Sequence, residues 1–446
     1  MLPEKFVLRM KDVLGDSFDA FLRSYDAPPE RAVRVNLKKI SPERFLASFP
    51  YKCEKIPYAQ NGFYVSAEAE EKIGLHPLHH AGAFYVQEPS AMAPVCAVDI
   101  KPDFKVLDMC AAPGGKSSQI AEAITGGVLV SNEISQSRAA VLMGNIERQG
   151  FENVVVTNTD PKTLAKWYRG VFDLTLCDAP CSGEGMFRKN PDAALEWSEE
   201  NVKSSALRQK EILASAAVTV KDGGYLLYST CTFSPDEDEG VINDFLRSHA
   251  DFSLVKVGGA TESATVGGID MPLARRFYPH LSRGVGQFFA LMQKSGGEPT
   301  EISYGDGARA LTQAEERTVR EFLADVFDEI PRGRIAAVGK TVCFVPDFPV
   351  PPHSVFSAGV KIGEIDKGRV VPHHQLFSAL GAKMKRRVEL GGDEASIKKY
   401  VGGDVITADV SNGWCAVTYL GCAVGGAKAV DQTLKNHYPK GLRRKI

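Results

Sequence analysis

Between Phe84 and Gly296 the chain alternates short apolar runs with stretches of helical length, and this alternation restricts the fold more than any other feature of the sequence. The runs are Lys105-Val-Leu-Asp108, Gly127-Val-Leu-Val-Ser131, Val154-Val-Val-Thr157, Phe172-Asp-Leu-Thr-Leu-Cys177 and Gly224-Tyr-Leu-Leu-Tyr228. Strands that are apolar on both faces belong to a parallel sheet covered by helices. The intervening stretches, such as Ser135 to Gln149 and Ser204 to Val220, carry the 3.6-residue periodicity of covering helices. The expected class is α/β, with a doubly wound, Rossmann-like sheet as the core over residues 81–296.

The flanks read differently. Phe6, Val7, Met10, Val13 and Leu14 recur at helical spacing, and Arg31-Ala-Val-Arg-Val-Asn36 follows as a strand-like run, so residues 1–80 are expected to form a small α+β accessory or RNA-binding domain. Its arginines are expected on the outer face of a half-buried strand, touching phosphate or simply solvated. Residues 297–355 read as a linker or accessory segment with a helix from Ala310 to Asp328. That segment runs into Val345-Pro-Asp-Phe-Pro-Val-Pro-Pro352, a stiff, extended connector. Residues 356–446, with Gly359 to Ile365, Asp404 to Thr407 and Trp414 to Leu420 as strand-like pieces, read as a small, mostly β domain.

At 446 residues the chain exceeds one ordinary core, and 44% hydrophobic with 24% charged residues is the balance of a folded globular protein. Met1 to Met10 lacks the apolar centre of a signal peptide, and no apolar run reaches membrane-spanning length. Nine dispersed cysteines make no disulfide framework, which suits a reducing cytoplasm. The net charge of −2 hides an asymmetry. From Lys361 onward 15 basic residues face 8 acidic ones, net +7, against net −9 for residues 1–360. Such a tail suits a polyanion.

The strongest local signal is Leu107-Asp-Met-Cys-Ala-Ala-Pro-Gly-Gly-Lys-Ser117, a strand entering a small-residue turn and a helix that starts near Lys116. Glycines there allow close approach, and a helix start offers unpaired N–H groups. Ligands of doubly wound sheets bind at the carboxyl ends of the strands, where Asp108, Glu133, Asp160 and Asp178 are expected. Glu133 would grip ribose hydroxyls and Asp160 the adenine amino group. Gly115-Lys116-Ser117 also ends the phosphate-loop pattern, but Cys110 stands where that pattern needs its first glycine.

Two further strand ends carry Cys177-Asp-Ala-Pro-Cys-Ser-Gly-Glu-Gly185 and Ser229-Thr-Cys-Thr232, so Cys181 and Cys231 are expected on the same edge. A thiolate suits one chemistry well. Carbon 5 of a pyrimidine attacks a sulfonium methyl only after a thiolate adds to carbon 6, with an acid near ring nitrogen 3, the place of Asp178. The other cysteines, Cys53, Cys96, Cys177, Cys343, Cys415 and Cys422, read as core members. Zinc is not expected, because Cys177 and Cys181 find no second pair and His79-His80 and His373-His374 lack ligand spacing.

From Phe84 to Gln293 these motifs resemble the RNA 5-methylcytosine methyltransferases of the Sun/NSUN type. Tyr85-Val-Gln-Glu-Pro-Ser-Ala-Met92 is similar to the segment before their core, Asp108 to Lys116 to their cofactor loop, and Asp178 to Gly183 and Ser229 to Thr232 to their two cysteine motifs. The tail, with Gly359 to Ile365, Val370 to Leu376 and Gly425 to Val430, resembles the bacterial RsmF-like branch and its PUA-like RNA-binding domain. The resemblance implies S-adenosylmethionine as cofactor and small-subunit ribosomal RNA as partner. It implies Cys231 as nucleophile, with Cys181 assisting product release; DNA-modifying relatives use the Pro-Cys thiol instead. It implies cofactor contacts from Cys110, Ala111, Ala112, Pro113, Gly114, Gly115 and Lys116, with Glu133, Asp160 and Asp178, and with Arg138 on the next helix. Lys383, Lys385, Arg386, Arg387, Arg443, Arg444 and Lys445 are candidate phosphate contacts, each alone also readable as a solubilising charge. The target cytosine is expected to be flipped out or held in a loop. Transfer RNA as substrate, and a silent RNA-binding assembly factor on the same fold, remain the alternatives.

Overall fold

The computed structural model describes residues 2–66, 73–296, 300–391 and 394–443. Among them, the five expected runs form the parallel strands Lys105–Asp108, Val128–Asn132, Val154–Thr157, Phe172–Asp178 and Val220–Thr230. The Lys105–Asp108 strand lies between Val128–Asn132 and Phe172–Asp178, with Val154–Thr157 and Val220–Thr230 outside them. The chain thus builds outward in one direction, returns, and builds in the other. The point of return, beside the first strand, is where such sheets open a crevice. Gln287–Lys294 and Met271–Phe277 then extend the sheet antiparallel beyond Val220–Thr230.

Local chemistry sets the covering helices. Gly114, at φ 108°, turns the chain into the helix Gly115–Ala123. Gln136–Gln149 ends at Gly150 in the left-handed region, and Glu199–Thr219 starts at Ser198, whose hydroxyl accepts the Asn201 N–H.

The N-terminal segment divides between two neighbours. Helix Glu4–Leu14 forms where expected, yet its Phe6 and Met10 pack with Phe187, Phe233 and Tyr278 of the core. The strands Cys53–Lys55, Gly62–Val65, Arg31–Val35 and Phe84–Val86 make a separate antiparallel sheet whose last strand lies beyond residue 80. Arg34 corrects an expectation: it is 1% exposed, and it donates to Glu122, Gln87 and Ser118 at 3.0, 3.0 and 2.6 Å. The helix Gly115–Ala123 covers that face of the strand, so Arg34 touches neither solvent nor phosphate.

The proline-rich connector is not a spacer. Phe348 and Val350 are buried in the core cluster, and the chain re-enters the main sheet as Val355–Ala358, antiparallel to Val154–Thr157. Residues 313–345 supply a capped helix, Gln313–Val326, and the strands Arg334–Val338 and Thr341–Val345. Val360–Asp366 and Arg369–Pro372 complete a four-stranded sheet with them. What was expected as linker is folded structure, because Ile335 to Val338 and Val342 to Val345 have apolar faces to bury. The final sheet orders Arg387–Glu389, Gly413–Tyr419, Cys422–Val430, Thr433–Asn436 and Ile406–Thr407, and its Val388, Tyr400 and Val417 share one buried cluster with Val33, Val35 and Phe45.

Candidate active site

A cavity of about 850 Å³ opens at the carboxyl ends of the five core strands. Cys110 follows the first, Glu133 the second, Asp160 the third, Asp178 and Cys181 the fourth, and Cys231 the fifth, and all six line it. Strand order therefore brings together residues up to 121 positions apart, and it does so because parallel strands end on one edge.

At one part of the wall, Glu133 is 2% exposed, accepts the Ser135 N–H at 2.9 Å and pairs with Arg138 at 3.4 Å. Arg138 also donates to the Ala112 carbonyl at 2.8 Å, so it ties the acid to the loop. Asp160 caps the helix Pro161–Trp167, and the Thr163 hydroxyl and N–H hold its carboxyl below the ordinary range. From the expected loop, Cys110 and Ala112 lie on the wall, whereas Ala111, Pro113, Gly114, Gly115 and Lys116 do not. These five shape it from behind. A Cβ on Gly115 would meet the Tyr85 ring at 3.3 Å, and Asn145 holds the Pro113 carbonyl.

Asp108 departs from expectation. Its carboxylate is wholly buried, accepts the Ser117 hydroxyl at 2.6 Å and lies off the wall. Burial pushes it up to about 7. It anchors the following helix rather than meeting a ligand.

The thiols lie with Asp178 at the ends of the fourth and fifth strands. Cys181 and Cys231 Sγ are 3.3 Å apart. Lys116 reaches Asp178 at 2.8 Å, and the Ser229 hydroxyl donates to the same carboxylate at 2.6 Å. Burial opposes charge on Lys116, but Asp178 outweighs it and lifts the ammonium above its ordinary value. The Cys181 thiol is raised by its hydrogen bond with Cys231 and by burial. Cys110 is raised in the same way by Cys177 beside it, which places Cys177 in the core as expected.

The sequence reading missed Glu237, which is buried behind both cysteine loops. It accepts Ser182 N–H at 2.8 Å, Gln209 at 3.0 Å and the Ser182 and Thr232 hydroxyls at 2.5 and 3.3 Å. Its neighbours Asp238 and Glu239 are buried against Arg276. Asp236-Glu237-Asp238-Glu239 reads as a solvated acidic run; only its place directly after a strand-end cysteine motif hints otherwise. Arg208, Ile212 and Ser215, one face of the helix Glu199–Thr219, close the cavity and were also missed.

Of the basic tail, Arg386 and Lys385 pair with Asp325 and Asp328 at the end of helix Gln313–Val326, and Lys385 donates to the Ala324 carbonyl. Arg387 donates to the Met384 carbonyl and Lys383 stands 4.0 Å from Glu152. Arg443 donates to the Tyr438 carbonyl, while Arg444 and Lys445 lie outside the described residues. Cations at a helix C-terminus answer its exposed carbonyls, so part of this charge docks the last sheet.

The chain matches three family descriptions in order: the N-terminal domain of 16S rRNA methyltransferase RsmF over residues 2–89, 16S rRNA methyltransferase RsmB/F over 95–293, and the methyltransferase RsmF PUA domain over 385–444. Among curated proteins, the ribosomal RNA small subunit methyltransferases F of Vibrio vulnificus and Vibrio cholerae are 31% and 33% identical, across 99% of this chain and 98% of theirs. A solved methyltransferase homologue from Pyrococcus horikoshii is 28% identical with a TM-score of 0.57, covering 66% of this chain and 95% of its own. NSun6 from the same organism, at 22% identity and a TM-score of 0.59 over 66% of this chain and 98% of its own, shares the fold. End-to-end likeness of this kind leaves one assignment: the chain belongs to the ribosomal RNA small subunit methyltransferase F family.

Proposed function

We propose that the protein methylates carbon 5 of a cytosine in small-subunit (16S) ribosomal RNA, with S-adenosylmethionine as donor and Cys231 as covalent nucleophile. The observation that carries this reading is the meeting, on one cavity, of two thiols 3.3 Å apart with the Lys116–Asp178 pair. The relatives' names support the ribosomal substrate, and the PUA match supports RNA binding by the last sheet. Among the described residues no helix is long and apolar enough to cross a membrane. A ribosomal substrate places the enzyme in the cytoplasm.

The cavity fits a nucleoside-bearing donor in size and in its donor set. Glu133 would take the ribose hydroxyls and Asp160 the adenine amino group, with Cys110 and Ala112 against the ring. Ala111, Pro113, Gly114 and Gly115 would hold that loop in place, and Arg138 would keep Glu133 aimed. When bound, S-adenosylmethionine supplies an electrophilic methyl group on a sulfonium sulfur.

Cys231 adds as thiolate to carbon 6 of a flipped cytosine, and the ring's electron pair shifts toward carbon 5. Asp178, steadied by Lys116 and Ser229, faces ring nitrogen 3 and shares a proton with it as charge builds there. After methyl transfer, water takes the carbon 5 proton, the carbon 6–sulfur bond breaks, and its electron pair returns to Cys231. Cys181 meets that departing sulfur and assists release.

The test is incubation with labelled donor and unmethylated total RNA, with base-resolution mapping of 5-methylcytosine. Label on small-subunit RNA that vanishes in Cys231→Ala is expected. Label confined to transfer RNA would overturn the substrate, and no label on any RNA would overturn the activity.

A further inference from the structure

Two thiols 3.3 Å apart share one hydrogen bond, so when the pair carries a single proton one sulfur is the anion and the other its donor. The anion is the nucleophile. Nothing in the cysteines themselves decides which sulfur that is, because both end parallel strands and both line the same cavity. Their surroundings differ in sign.

Glu237 stands behind Cys181. Its Oε1 accepts two N–H groups, from Ser182 at 2.8 Å and Gln209 at 3.0 Å, and N–H groups favour the charged form of a carboxyl. Its Oε2 meets the hydroxyls of Ser182 and Thr232, which are themselves 2.9 Å apart. Ser182 follows Cys181 and Thr232 follows Cys231, so one carboxylate sets the spacing of both loops. Gln209 also donates to the Pro180 carbonyl, on the other side of Cys181. Lys116, by contrast, comes from the cavity side through its bond to Asp178, and its charge is attracted to Cys231. The remaining charged or titratable groups around the pair are Asp178, Glu184 behind Glu237, Tyr228 beneath and Arg208 at the cavity wall.

We propose that Glu237 is the positioning residue that decides which thiol is the nucleophile: its carboxylate keeps the shared proton on Cys181 and leaves the negative charge on Cys231, beside Lys116. Burial raises the Glu237 carboxyl, and the donors on Ser182 and Gln209 work against that rise. The field of Glu237 in turn adds to the effects that raise Cys181. The arrangement explains how Cys181 serves release without competing in attack. A thiol that keeps its proton donates to the Cys231 sulfur as the carbon 6–sulfur bond breaks, so the leaving electron pair departs onto a sulfur already hydrogen-bonded. This deepens the functional reading above and rests on it for the word nucleophile. The location of the charge is a property of the protein alone.

Competitive alkylation of the full-length protein tests it, with a limiting amount of iodoacetamide near neutral pH and peptide mass spectrometry to count label on Cys181 and Cys231. Because the two sulfurs are adjacent, the first alkylation reports the resident thiolate. Wild type is expected to carry label on Cys231. Glu237→Gln keeps an acceptor for the two N–H groups and turns an NH₂ toward the two hydroxyls, so it removes the charge and retains the spacing. It is expected to raise the share on Cys181 by about tenfold, the effect of a shift of about one pH unit. Ser182→Ala, which retains the charge and loses one hydroxyl, is expected to change the share less than Glu237→Gln. An unchanged ratio in Glu237→Gln, or wild-type label on Cys181, would overturn the proposal. If Glu237→Gln fails to fold, Lys116→Met carries the test, since removal of the opposite charge must also move label toward Cys181; a ratio unchanged there overturns it as well. Should the ratios move as expected while Cys231→Ala still methylates RNA, the functional reading fails and the assignment of charge stands.

Discussion

Arg34, Lys116 and Arg276 around the catalytic sheet have side chains no more than 10% exposed, each bonded to a carboxylate, whereas Lys383 and Lys385 at the C-terminal sheet are 64% and 35% exposed and stand 4.0 and 3.9 Å from theirs. The first group cannot lose a partner without leaving a charge in a dry environment. The second can, because water replaces the partner. The difference teaches where electrostatics does structural and chemical work in this chain: the buried pairs fix the geometry of the site, and the exposed ones only orient a neighbouring sheet. Net basic charge in the tail therefore overstates the charge left for RNA, since Lys385 and Arg386 already answer Asp328, Asp325 and the end of a helix.

Several substitutions sharpen or break this contrast. The largest effect is expected at the reacting centre. Cys231→Ala should lower methyl transfer by roughly three orders of magnitude or more while leaving thermal stability nearly unchanged, read by initial rates and calorimetry. Arg34→Met, which strands Glu122, should cost about 3–5 kcal/mol in denaturant unfolding, and a value near zero would show that the contrast is wrong. Glu133→Ala should weaken donor binding by about 10- to 100-fold in calorimetric titration, with RNA affinity unchanged.

Asp108 offers a test by pH. Its folded value of about 7 lies above the roughly 4 of an unfolded aspartate, so the folded state holds the extra proton. Stability from this group is full below about pH 4 and is lost as pH rises through about 7. Asp108→Asn keeps an acceptor for Ser117 and removes that slope, so between pH 5 and pH 8 the variant should lose less stability than the parent. The smallest effect is expected at Arg386→Ala, less than about 1 kcal/mol, with the salt dependence of RNA binding altered by less than one charge.

The same contrast explains what the sequence disclosed. Leu107 to Ser117, Asp178 to Gly183 and Ser229 to Thr232 were legible because buried parallel strands are apolar on both faces and end on one edge, so a cysteine after a strand must point to the crevice. Glu133 and Asp160 followed from the same rule, and Asp108 broke it because the Ser117 hydroxyl turned its carboxylate inward. Glu237 and Arg34 were illegible for a different reason. A charged residue looks solvated until tertiary contacts supply its partners, and Gln209, Ser182 and Glu122 lie 28, 55 and 88 positions away. The connector failed in the same way: four prolines describe a stiff path, but Val355–Ala358 pairs with Val154–Thr157 through contacts two hundred residues apart, which no local pattern encodes.

The most direct test of the account is to trap the covalent step itself. RNA of the target region carrying 5-fluorocytidine holds fluorine where the departing proton should be, so release stops after methyl transfer. The expected result is a denaturant-stable complex of protein and RNA, dependent on S-adenosylmethionine, with the nucleotide on the peptide containing Cys231. A nucleotide found on Cys181, or no complex with a preparation that still methylates RNA, would contradict the account.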